Sequence, residues 1–127
     1  MRRARDVLLV TALLLGPVGC HSQHRGAVEP FEDADITLQI VNHHWLDVTV
    51  YVIHDGERTR VGLVTASSTQ SFALSPRLLG QSHELSLLGA AVGSRATART
   101  EVLIVRPGQR IEWTLETDLR RSSVGVY

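Results

Sequence analysis

Asp47-Val-Thr-Val-Tyr-Val-Ile-His54, Asp55-Gly56, Glu57-Arg-Thr-Arg-Val-Gly-Leu-Val64 is the stretch that decides the fold. Two runs rich in β-branched residues flank an Asp-Gly pair, and such a pair favours a type I′ turn because both of its positions require φ > 0. A two-residue loop fixes the register: His54 faces Glu57, Val52 faces Thr59, Val50 faces Val61 and Val48 faces Leu63. The aliphatic side chains then share one face, as a half-buried sheet requires. On the other face Tyr51 lies opposite Arg60, where an exposed guanidinium over the ring adds about 0.5–1 kcal/mol.

Outward from this hairpin the same signals recur. Strands are predicted at Ile36 to Asn42, Asp47 to His54, Glu57 to Val64, Thr69 to Leu74, His83 to Leu88, Arg99 to Arg106, Arg110 to Glu116 and Ser122 to Val126. Pro76 to Gly80 supplies one short turn, and Gly89 to Ala98 reads as a long loop of small residues. Arg110-Ile-Glu-Trp-Thr-Leu-Glu116 alternates cleanly and places Ile111, Trp113 and Leu115 inward. Val102-Leu-Ile-Val105 is apolar throughout, which predicts burial on both sides. Pro107-Gly108 suits a type II turn, making Arg106 to Arg110 a second hairpin connection. No stretch of helical length carries a 3.6-residue apolar stripe. The expected fold is all-β: a small antiparallel β-sandwich, Ig-like or related, of seven to eight strands, with a small barrel as the alternative. The Cys-Trp-Cys hallmark of immunoglobulin domains is absent, and the final Ser122 to Val126 strand closes the sandwich.

The first 20 residues read differently. Arg2, Arg3 and Arg5 precede Val7 to Leu15, an uncharged apolar run of about nine residues, the length of a signal-peptide h-region and well short of the roughly 20 that span a bilayer. Gly16-Pro-Val-Gly19 follows, and then Cys20, the only cysteine of the chain. This segment resembles the bacterial lipoprotein signal, with Pro17-Val18-Gly19-Cys20 in the place of the lipobox and Pro17 where that pattern usually has leucine. The resemblance covers the signal alone. It implies cleavage before Cys20, a diacylglyceryl thioether on Cys20, and a membrane partner reached through an N-terminal lipid anchor. The protein would then belong to the bacterial cell envelope, facing the periplasm or the exterior. The expected organisation is a signal peptide over 1–19, a lipidated flexible tether over 20–35 and the β-sandwich over 36–127. The tether, polar and aperiodic with Gly26 and Pro30, has spacer composition.

Composition narrows the function. All 13 basic residues are arginine, and from Cys20 onward ten arginines stand against twelve carboxylates. Such a balance leaves no electrostatic footprint for nucleic acid. A single cysteine permits no internal disulfide, so packing alone must hold the domain. The candidate ligand-binding residues are Trp45, His43 and His44, in the connection after the first predicted strand, with His83 as a further contributor; Trp45 either caps the open end of the sandwich or projects from a binding loop. Adjacent strand residues point to opposite faces, so His43 and His44 share one ion only if the chain bends. No metal site, cofactor or catalytic residue is expected. His83-Glu84 lacks the second histidine of the zinc-protease signature, and no Gly-x-Ser-x-Gly elbow occurs. Glu101, Glu112 and Glu116 read as solvated charges. The expectation is a non-enzymatic interaction or structural module of the envelope with a possible envelope protein partner. The alternative is a ligand- or metal-binding module around Trp45 and His43/His44; a hydrolase ranks last.

Overall fold

The computed structural model describes residues 34–127. The expected signal segment, Cys20 and the expected tether up to residue 33 lie outside the described residues. Nine strands follow: β1 (Ile36–Asn42), β2 (Val48–His54), β3 (Glu57–Val64), β4 (Ser68–Leu74), β5 (Glu84–Ala91), β6 (Thr97–Arg99), β7 (Leu103–Ile104), β8 (Arg110–Leu115) and β9 (Ser123–Val126). Helical structure among the described residues is limited to two 3-10 turns, Pro76–Leu79 and Leu119–Arg121.

The strands form two packed sheets, the expected β-sandwich. The first has the order β4-β1-β8-β9; the second runs β3-β2-β5-β6, with β7 also on β5. Most pairs are antiparallel, but β1 and β8 run parallel from Thr37 beside Arg110 to Asn42 beside Leu115. Inward side chains of β1 (Ile36, Leu38, Ile40), β8 (Ile111, Trp113, Leu115), β2 (Val48, Val50, Val52) and β5 (Leu85, Leu87) make the core. Leu79 and Leu119 plug it from the two 3-10 turns. Trp113 is 1% exposed and spans the space between sheets. A Cβ on Gly89 would sit 3.2 Å from its ring and 3.0 Å from Val48, so the residue facing that indole has no side chain.

The Asp55-Gly56 turn forms as predicted, with φ of 48° and 76°. Its register holds only as far as Tyr51 opposite Arg60. A β-bulge at Val61 then places Val50 opposite Gly62 and Val48 opposite Val64. The extra residue reverses the faces of the remaining strand: Val64 becomes fully buried and Leu63 turns outward at 38% exposure. The bulge sits where Gly62 meets the ring of Phe72, a Cβ there lying 2.6 Å from Cε1.

Three further expectations are corrected. Val102 and Ile104 are exposed at 63% and 69% while Leu103 and Val105 are buried, so this run alternates at a sheet margin instead of being covered on both sides. Pro107-Gly108 forms its turn, with Gly108 at φ 83° and the Gln109 amide donating to the Arg106 carbonyl at 3.1 Å, but it carries the chain from one sheet to the other and joins no hairpin. Gly89 to Ala98 is not one loop: β5 continues to Ala91 and β6 begins at Thr97. The added short strand brings the count to nine.

Candidate functional site

The sandwich has two ends. Ala34 and the Asp55-Gly56 turn mark the lower one, the Gly108 amide donating to the Ala34 carbonyl at 3.2 Å. The turn His43–Asp47 lies at the upper one, about 20 Å away along the seven residues of β1.

Asn42 organises the upper end. It continues the inward parity of Ile36, Leu38 and Ile40, so its polar side chain enters the core margin at 1% exposure. The amide Nδ2 donates to the carbonyls of Leu46 (3.1 Å), Thr65 (3.2 Å) and Val64 (3.4 Å). Oδ1 accepts the His44 amide at 2.9 Å. His44, 3% exposed, accepts the Leu46 amide on Nδ1 at 3.0 Å, and its carbonyl accepts from Ser67. The His43 amide donates to the Leu115 carbonyl at 2.8 Å. Asp47 ties the far side, Oδ1 accepting the Ala66 amide and its carbonyl accepting the Val92 amide, both at 2.9 Å.

Trp45 stands on this frame. Its ring is stacked on that of His44 at 5.5 Å between centroids and 23° between planes, yet 69% of the residue faces solvent. Val92, half-exposed at 50%, lies at the same end through its bond to Asp47. His43 turns away and meets Glu116 at 3.4 Å on the exposed surface, beside an open groove of about 370 Å³ lined by Val41, His43 and Ser67 to Thr69. Of the three sequence candidates, Trp45 and His44 are therefore brought together and His43 is not. His44 acts as a support, since its Nδ1 is occupied by the backbone.

His83 does not join them. It precedes β5 at φ 55°, at the lower end, where its carbonyl accepts from Val105. His54 is also there, its Nδ1 donating to the Glu84 carbonyl at 2.7 Å and its Nε2 3.0 Å from Asp55 Oδ2. Its ring packs over Gly80, whose φ of 56° and missing Cβ make the contact possible. His54 and Ser86 line one groove of about 180 Å³ with Glu84 and Arg99, and both ring nitrogens of His54 are engaged by Glu84 and Asp55. Among the described residues no three His, Cys, Asp or Glu side chains converge to hold a metal ion. Glu112 pairs with Arg110 at 2.9 Å on the outer face of the first sheet. Asp118 caps the Leu119–Arg121 turn, and its hydrogen bonds from the Arg120 side chain and amide hold its carboxyl below the usual aspartate range.

Sequence reasoning missed Asn42 and Asp47, whose bonds fix the upper turn. Parity gave the available signal for Asn42, a polar residue on the inward face of a strand. Asp47 had none, because its partners come from β3–β4 and β5, distant in sequence.

No protein-family model matches the chain, and no curated protein sequence matches it. Among solved structures, an NMR structure of a protein from Eubacterium rectale is similar over 73% of this chain and 86% of its own, at 15% identity and a TM-score of 0.43.

Proposed function

We propose that the protein is an envelope lipoprotein, anchored through Cys20, whose domain is a non-enzymatic binding module that presents Trp45 to a partner. The observation that carries the binding reading is the exposure of Trp45, 69%, on a turn whose backbone is held by Asn42, His44 and Asp47. A large aromatic ring left in water on a pre-ordered turn loses little conformational entropy when a partner covers it, and tryptophan is the residue type most enriched in binding hot spots.

The anchor reading rests on the signal and on Cys20, and the domain's geometry accords with it. Residues 20–35 reach at most about 55 Å when extended, and about 20–24 Å on average if flexible. They join the sandwich at the end opposite Trp45, so the tether does not cover that ring. No described helix is long and apolar enough to cross a membrane.

Two measurements test the proposal. Mass spectrometry of membrane-extracted protein should find an acylated Cys20 at the mature N-terminus; an unmodified terminus downstream of it ends the anchor reading. A photoreactive phenylalanine analogue at position 45 in cells should give a discrete adduct that is absent when the same group replaces Ser71 on the outer face of the first sheet. Equal labelling from both positions removes the binding role of the Trp45 turn.

A further inference from the structure

We propose that the outer face of the second sheet is a docking surface for an anionic membrane, with Arg58, Arg60 and Arg99 as its charged contacts. The sheet register places these residues together. Arg60, Tyr51, Leu88 and Arg99 form one row across β3, β2, β5 and β6. Arg58, Ile53 and Ser86 form the next. The arginines are exposed, while Tyr51, Ile53 and Leu88 between them are half-buried. Arg58 lies 4.8 Å from the Tyr51 ring centroid, and among the described residues none of the three arginines forms an ion pair.

The concentration of charge is local. Residues 34–127 hold nine arginines and nine carboxylates, so a face with three unpaired arginines reflects segregation, not a basic domain. Acidic groups border it: Asp55 and Glu84 share a groove with Arg99 at its lower rim, and the exposed Glu101 lies two residues beyond Arg99. The outer face of the first sheet is unlike it: Thr37, Gln39, Ser71 and Thr114 are small or uncharged, and its Arg110 and Glu112 neutralise each other.

Size and charge together select the partner. Four strands about 4.8 Å apart and five residues at about 3.4 Å give a face of roughly 330 Å², less than half of the roughly 800 Å² that a stable protein interface takes from each side. A flat face this small binds weakly and needs its partner kept near. The lipid anchor does so for the bilayer, and in this respect the inference rests on the anchoring reading. Each arginine beside an anionic leaflet strengthens binding about fivefold, so three together give about a hundredfold.

The test uses the chain from residue 20 with Cys20→Ser, which carries no lipid, at low salt and with lipid in large excess so that weak unanchored binding is read, and vesicles of phosphatidylcholine with or without one-third phosphatidylglycerol. Co-sedimentation is expected only with phosphatidylglycerol and should weaken as salt rises. Replacing Arg58, Arg60 and Arg99 by Gln should reduce it about a hundredfold, whereas Arg77, Arg95 and Arg106 to Gln, an equal loss of charge elsewhere, should leave it close to the parent. Thermal melts show whether each variant is folded, and the salt dependence of the parent stands without them. No binding to either vesicle, equal binding to both, or equal loss in both triple variants overturns the proposal. Binding to polyglutamate in preference to vesicles assigns the face to an acidic protein and also overturns it. If a chain begun at residue 34 binds vesicles but the one from residue 20 does not, the face belongs to the chain's own acidic segment 29–33, and membrane docking fails. Loss of the Cys20 acylation result removes the anchor and leaves the vesicle measurement intact.

Discussion

Asn42→Ala should be the most damaging single substitution of a polar residue in the domain. The Nδ2 group has two protons for three carbonyls, at 3.1, 3.2 and 3.4 Å, and Oδ1 accepts one amide at 2.9 Å. Two effective donated hydrogen bonds at about 1 kcal/mol each, plus about 1–2 kcal/mol for the His44 amide left without an acceptor, give a loss of about 3–4 kcal/mol. A domain of this size has about 5–15 kcal/mol in all. Urea unfolding followed by circular dichroism measures the loss directly, and acrylamide quenching of Trp45 reports release of the turn. Asn42→Asp extends the reasoning. It keeps the acceptor but turns a second oxygen towards three carbonyls, so burial and repulsion raise its folded pKa above the unfolded value of about 3.9. A raised folded pKa contributes stability below the unfolded pKa that is lost as pH rises through the folded one. The Asp variant should therefore recover part of its stability in acid. A loss below about 1 kcal/mol for Asn42→Ala, with an unchanged denaturant slope, would refute the account.

Other perturbations test other levels. Gly56 has φ 76° and nothing within 4 Å of a built Cβ, so Gly56→Val should cost more than about 1 kcal/mol through backbone conformation alone, and Gly56→Asn much less, read from thermal melts. Gly89→Ala places a methyl 3.0 Å from Val48 and 3.2 Å from Trp113; overpacking of about 1–3 kcal/mol and a changed Trp113 near-ultraviolet dichroism are expected. By NMR titration Asp118 should titrate below the usual aspartate range and return towards it in Arg120→Gln; because its folded pKa is depressed, its favourable contribution is present at neutral pH and disappears as pH falls through that pKa. Deleting residues 122–127 removes β9 with the half-buried Val124 and Val126 and exposes the β8 edge, which should lower stability by about 3 kcal/mol or more.

Much of the fold was legible because its signals are local. Strand period, the Asp-Gly turn and the inward alternation of Ile111, Trp113 and Leu115 each depend on residues within one or two elements. What escaped was set between elements. Val102 to Val105 looks buried on both sides as a string, yet its register on β5 leaves Val102 and Ile104 in water. The turn at Pro107-Gly108 was recognisable, but the sheet that β8 would join depends on β1, about 70 residues earlier in the chain. The parallel pairing of β1 with β8 leaves no sequence signature at all.

The site divides in the same way. Trp45 was identifiable as an aromatic outside every strand pattern, but that position did not decide between a ring capping the open end of the sandwich and one projecting into solvent; it projects, at 69% exposure. The turn beneath it was not, because Asn42 and Asp47 make their decisive bonds with Val64, Thr65, Ala66 and Val92. His43 and His44 looked equivalent in sequence. One became a buried prop and the other a surface group, because the chain bends directly after Asn42 and sends their side chains in different directions.

Charge reading from composition stops short of surfaces for a related physical reason. A near-neutral total excludes a basic domain but not a basic face, since strand parity sorts side chains by position. Arg58 and Arg60 are two apart on one strand, and Arg99 is about 40 residues away; only the pairing of β2 with β3 and β5, and of β5 with β6, puts all three on one surface. The bulge at Val61 completes the division. Below it, β3 presents Arg58 and Arg60 outward; above it the parity reverses, so Val64 seals the core beneath Asn42. A one-residue insertion thus serves both surfaces: it keeps the arginines beside Tyr51 and delivers the Val64 carbonyl to the amide that holds the Trp45 turn.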